Sequence, residues 1–145
     1  MKTLVQCDFD GTITEGDASF LLLDAFARED WRQFLRQYRE RKISVGDFNK
    51  KAFALVSASR QELLQFITRE VKIRPGFHKL IAYCRKMDFR FVIVSNGLDF
   101  YIKGILQDIG VDGIEVFAAR VRFRPAGIET TYIGPDGIEL ESDFK

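Results

Sequence analysis

The hydrophobic pattern changes character twice along the chain. Thr3-Leu4-Val5-Gln6-Cys7 is a short apolar run suited to a strand in a parallel sheet, and it ends at two carboxylates, Asp8 and Asp10. From residue 15 to about 71 the period becomes helical, with no proline and, after Gly16, the single glycine Gly46. Asp17 is placed to N-cap a first helix carrying Phe20, Leu21, Leu23 and Phe26. Trp31, Phe34, Leu35 and Tyr38 fall at i, i+3, i+4 and i+7, giving a second helix one apolar face. Ser44 opens a third, with Phe48, Ala52, Phe53, Leu55 and Val56 inward, and Ser59-Arg60-Gln61-Glu62 is a capping box for a fourth. Four short amphipathic helices with brief links predict a small bundle.

After Ile73 the strand pattern returns. Pro75-Gly76 breaks the chain before a helix through Leu80, Ile81, Tyr83 and Cys84. Phe89 to Val94 reads as a buried strand, Ser95-Asn96-Gly97 as a loop, and 98–107 as a helix whose N-terminal amides face that loop. A third strand is predicted over 114–118. A separate hairpin follows, with Val121 and Phe123 on one arm, a turn at Pro125-Ala126-Gly127, and a second arm over 128–133. Strands alternating with helices make this an α/β chain, with a partial Rossmann-like parallel sheet and a β-hairpin near the C-terminus.

Strand period two puts Asp8 and Asp10 on one side of the backbone, at the carboxyl end where such sheets carry ligands. Two carboxylates this close repel unless a cation lies between them or one keeps a proton, and Mg²⁺ is the natural hard cation. Gly11 lets the chain turn away, and Thr12 and Thr14 bring hydroxyls near.

Asp8-Phe9-Asp10-Gly11-Thr12-Ile13-Thr14 resembles the DxDGT signature of the haloacid-dehalogenase-like phosphohydrolases. The resemblance implies that Asp8 is the nucleophile taking a phosphoryl group. It implies that Asp10 is the general acid/base, that both residues hold Mg²⁺, and that Thr12 contacts phosphate. Ser95, with Asn96 and Gly97, sits where the family's second motif binds the phosphoryl oxygens. The helical stretch resembles the cap of the phosphoserine-phosphatase-like branch. The implied domains are a catalytic core over 1–14 and 72–145, incomplete at its last strands, and a cap over 15–71. In that branch an acidic residue after the first motif reads the substrate, a role open here to Glu15 or Asp17. The implied activity is Mg²⁺-dependent hydrolysis of a small phosphorylated metabolite through an aspartyl-phosphate.

The third motif of the family is a lysine, and Lys145 is where it falls. No counterpart of the fourth, an acidic pair completing the Mg²⁺ shell, is found. Three situations fit: a fragment of a longer phosphatase (the favoured one), an edge covered by another chain such as a second copy, or loss of strands together with activity. The first strand is then expected at the sheet edge, and the 145-residue chain is expected to hydrolyse phosphate esters poorly. A non-catalytic phosphate-, metal- or partner-binding module is the alternative.

Composition narrows little further. With 145 residues, 46% hydrophobic, 30% charged and a net charge of +1, the chain suits one globular domain and points to no nucleic-acid partner. Cys7 and Cys84 form no metal or redox spacing, and no apolar run is long enough to span a bilayer, so a reducing cytoplasm is expected. Arg28, Arg32, Arg36 and Arg39 form a helical stripe. It reads either as a positive wall for an anion or partner, or as a solvated face balanced by Glu29, Asp30 and Glu40, and the solvated face is favoured. His78, the one histidine, reads as a surface residue.

Overall fold

A computed structural model describes residues 2–140. In chain order they form β1 (Leu4–Cys7), α1 (Ala18–Phe26), α2 (Arg32–Arg39), α3 (Val45–Phe53), α4 (Arg60–Glu70), α5 (Phe77–Lys86), β2 (Arg90–Leu98), α6 (Asp99–Asp108), β3 (Glu115–Arg124) and β4 (Gly127–Thr131). The sheet runs β1-β2-β3-β4, parallel across the first three strands and antiparallel between β3 and β4. The residue of the possible third motif, Lys145, lies outside the described residues.

Three of the four helices between β1 and α5 start where local chemistry says they should; α2 has no side-chain cap. Asp17 accepts from Phe20 N–H, Ser44 accepts from Asp47 N–H, and Ser59 with Glu62 completes a reciprocal capping box. Each cap satisfies an amide that the helix itself leaves without a partner. Their apolar faces meet in one core, in which Leu22, Leu23, Phe48, Phe53, Leu63 and Ile67 are buried. Gly76, at φ 94°, turns the chain into α5.

Two expectations are corrected by tertiary pairing. The Ser95-Asn96-Gly97 segment is not a loop before a helix but part of β2, which runs on to Leu98. The register against β3 slips between Val94 and Leu98, so the strand stays extended while its side chains are re-aimed. Helix α6 therefore starts at Asp99, and its N-terminal amides lie beyond Asn96 and Gly97. The third strand and the first arm of the hairpin are one strand, β3, pairing with β2 over its first half and with β4 over its second. As expected, β1 is the edge among the described strands, and Leu4 there is 56% exposed. A groove of about 570 Å³ runs across β1, β2 and β3 over Leu4, Val92, Val94 and Phe117.

The hairpin holds β3 and β4 against the four helices. Arg28 donates from Nε to Leu55 O (3.0 Å) and from Nη2 to Ala54 O (3.2 Å) and Ala126 O (2.6 Å), and Ser57 Oγ donates to Pro125 O. Gly127 presses so closely on the end of α3 that a Cβ would lie 2.0 Å from Ala54 O.

Candidate active site

The sequence after β1 winds into a tight turn because one carbonyl collects its amides. Phe9 O accepts from the N–H groups of Thr12, Ile13 and Thr14 at 2.9–3.2 Å. Gly11 adopts φ 75° within this turn. Thr14, fully buried, is structural: its Oγ1 donates to Gly16 O at 2.5 Å and accepts from Gly11 N–H at 3.1 Å. From the opposite side, Arg74 donates to Thr12 O (2.8 Å) and Gly11 O (3.1 Å). Phe9 is driven into the core while Asp8 and Asp10, on either side of it, line one pocket of about 220 Å³.

The carboxyl ends of β1 and β2 supply the floor of that pocket: Asp8 and Asp10 with Ser95, Asn96 and Gly97. Asp17 and Ser19 at the start of α1 reach it, as does Asn49 of α3. Phe20, Leu35, Tyr38, Val45 and Phe48 form the apolar wall. Glu15 is not among the lining residues; it is exposed, and its N–H donates to Lys72 O. Thr12 does not line the pocket either, but its hydroxyl reaches Asp8 Oδ2 at 3.4 Å.

Ser95 is almost fully buried, and its Oγ accepts from Gly97 N–H at 2.9 Å. That bond uses a lone pair and leaves the hydroxyl proton available for donation to an anion. The carbonyl of Asn96 accepts from Asn49 Nδ2 (2.7 Å) and from Tyr132 Oη (2.7 Å). Asn49 Nδ2 also donates to Tyr132 Oη at 2.9 Å, closing a buried triangle between α3, β2 and the segment after β4. Such a network is favourable because each member has a partner in a largely buried setting.

Asp10 is the perturbed group. Its Oδ2 accepts from Tyr101 Oη at 2.5 Å and its Oδ1 from Ala18 N–H at 2.9 Å. Burial pushes its pKa from 3.8 up to about 7, the Asp17 charge pushes the same way, and the hydrogen bonds from Tyr101 and Ala18 oppose the rise. Burial, with the Asp10 charge behind it, also raises the Tyr101 phenol.

The arginine stripe stands apart from this site. Among the described residues no lysine or arginine lines the pocket. Arg28 is taken up by backbone carbonyls, Arg32 pairs with Asp24, and Arg36 pairs with Asp30. His78 is exposed, with its Nε2 3.0 Å from Ile109 O. Sequence reasoning missed Tyr101, Asn49 and Arg74. The one available signal was a hydroxyl in the otherwise apolar run Phe100-Tyr101-Ile102.

The fold is that of an α/β protein whose pocket opens at the carboxyl ends of parallel strands. Residues 5–138 match the model of the haloacid dehalogenase-like hydrolases, and the chain belongs to that family. A relative from Brevibacillus brevis, a 2-hydroxy-3-keto-5-methylthiopentenyl-1-phosphate phosphatase, is 35% identical over 132 residues, 90% of this chain and 60% of the relative. One of the same description from Lysinibacillus sphaericus is 35% identical over 111 residues, 76% of this chain and 49% of the relative. The chain thus spans about half to three-fifths of the length of these two relatives. Among solved structures, a phospho-aspartyl intermediate analogue of phosphoserine phosphatase superposes with a TM-score of 0.67 at 19% identity. That superposition covers 89% of this chain and 63% of the phosphatase. The likeness confirms the Rossmann-like α/β fold. Among the described residues no helix is long and apolar enough to cross a membrane.

Proposed function

We propose that the pocket is a phosphomonoesterase site, with residues 15–71 as its cap and residues 1–14 and 72–145 as its core. The carrying observation is that two strand-end carboxylates, Asp8 and Asp10, share one pocket with the buried hydroxyl of Ser95. Asp8 attacks phosphorus: its oxygen forms the new P–O bond as the bond to the leaving oxygen breaks. Asp10 gives its proton to that leaving oxygen, then takes one from the water that cleaves the aspartyl-phosphate, which regenerates Asp8 and releases phosphate. A carboxyl poised near pH 7 suits both transfers. Ser95 donates to a phosphoryl oxygen, and the Asn96 and Gly97 backbone flanks it. Thr12 holds Asp8, and Lys145 is the candidate cation for the phosphate.

Mg²⁺ fits this donor set in part. Among the described residues three carboxylates, Asp8, Asp10 and Asp17, line the pocket, and no basic side chain does. Among the described residues no group of three or more potential ligands is spaced to hold a metal. Mg²⁺ commonly takes only one or two carboxylates and completes its shell with water and substrate phosphate. Asp8 and the main-chain carbonyl of Asp10 would hold it, and when bound it neutralises phosphoryl charge.

The substrate class follows from the wall. Phe20, Leu35, Tyr38, Val45 and Phe48 present apolar surface to whatever carries the phosphate, and Asp17, Ser19 and Asn49 offer a few polar contacts. A phosphate ester whose remaining part is uncharged and apolar, such as the methylthiopentenyl phosphate in the name of the Brevibacillus brevis relative, suits this better than one with a further anionic group. Titration of the chain with Mg²⁺ and beryllofluoride tests the site: saturable binding abolished in Asp8→Asn supports it, and binding unchanged by that substitution overturns it. Hydrolysis of p-nitrophenyl phosphate then separates an enzyme from a binding module.

A further inference from the structure

The geometry assigns Tyr101 as a positioning residue for Asp10, one that holds the carboxyl in a single orientation from the core side of the pocket. The assignment rests on the reading of Asp10 as the proton carrier. Tyr101 lies in the first turn of α6, 91 residues from Asp10 in sequence, and is fully buried. The terminal torsion of an aspartate is ordinarily broad and two-fold. Here each oxygen has its own donor on a different element: Tyr101 Oη of α6 on Oδ2, and Ala18 N–H of α1 on Oδ1. Rotation of the carboxyl breaks both bonds, so its direction is fixed, while the second lone pair on each oxygen stays open for a proton transfer.

Two further observations show that the hydroxyl matters beyond filling space. The Tyr101 ring already packs against Phe9 and Phe100, at 6.3 and 5.7 Å between centroids, a role that phenylalanine would fill as well. Gly97, by contrast, leaves room for the polar pair: a Cβ there would lie 2.0 Å from Tyr101 Oη and 2.6 Å from Asp10 Oδ2. The strand that carries Ser95 thus makes way for the contact that aims Asp10. Proton transfer to a leaving oxygen depends steeply on such alignment.

Tyr101→Phe in the 145-residue chain, with Mg²⁺ present, tests the assignment. In kcat/KM, which reports the first phosphoryl transfer, glycerol phosphate should lose about tenfold or more, because its alkoxide needs the proton. p-Nitrophenyl phosphate, whose leaving group departs without a proton, should change by less than about twofold. Equal losses on both esters, or none on either, overturn the assignment. A readout independent of turnover accompanies it. In the metal-free protein the Tyr101 hydroxyl proton should give a downfield NMR resonance, absent in Tyr101→Phe and moved upfield in Asp10→Asn. No such resonance, or one unmoved by Asp10→Asn, overturns the assignment. Absence of turnover in the wild-type chain on both esters counts against the functional reading alone and leaves the resonance to decide on Tyr101.

Discussion

Replacing Asp10 by asparagine should stabilise the metal-free protein above neutral pH and do little near pH 4. The fold holds the Asp10 carboxyl at about 7 against 3.8 in the unfolded chain, chiefly through burial. Between these values the folded state binds a proton that the unfolded state has released, so the Asp10 contribution to stability falls as pH rises across the window. At about 1.4 kcal/mol per pH unit, the full penalty above pH 7 is of order 4 kcal/mol. Asparagine is close to an isostere of the protonated acid. Its Oδ1 can keep the Ala18 N–H and its amide can face the Tyr101 oxygen, while no charge forms at any pH. Thermal unfolding of both proteins in a chelator from pH 4 to 8 measures the difference directly, because every other titrating group is common to the pair. The gap in melting temperature should open through the window and level off above pH 7 at about 10 °C. A gap that stays constant from pH 5 to 8 would refute the argument, since it would mean that Asp10 ionises in the fold as it does in water.

The remaining predictions concern the scaffold. Gly127→Ala should cost more than about 2 kcal/mol in denaturant unfolding, since its φ of 152° and the Ala54 carbonyl both exclude a side chain. Ser59→Ala should cost about 1 kcal/mol through loss of the α4 capping box, with helix content at saturation unchanged by circular dichroism. Asn49→Ala should cost about 1–3 kcal/mol and should weaken beryllofluoride binding, because the buried triangle behind Asn96 loses a member. Arg32→Ala should change stability by less than about 1 kcal/mol, its pairing with Asp24 being exposed on both sides.

Local rules made much of this molecule legible. Asp17, Ser44 and Ser59 mark helix starts because a cap is a contact between residues three apart, and such spacing is visible in sequence. The apolar face of Trp31, Phe34, Leu35 and Tyr38 is likewise set by helical geometry alone, although burial along it is uneven and Tyr38 stays 40% exposed. The Asp8-to-Thr14 stretch announced a strand-end turn with two carboxylates, and the turn places both at one pocket. What was misread concerns pairing at a distance. Ser95 to Gly97 looked like a loop because its composition is that of a turn, yet pairing with β3 carries the strand through to Leu98. Residues 115–124 looked like two strands because their partners change halfway along.

By itself the sequence determined which segments are helix, where α1, α3 and α4 are capped, and that a strand ends in Asp8 and Asp10. These depend on backbone conformation and neighbour spacing, interactions that operate within a few residues. Only the tertiary structure decided that Tyr101 meets Asp10, that Asn49 and Tyr132 share the Asn96 carbonyl, and that the arginine stripe stays out of the pocket. Each of those contacts joins residues far apart in the chain, and its position is set by how buried side chains fill a common core rather than by any pattern along the backbone.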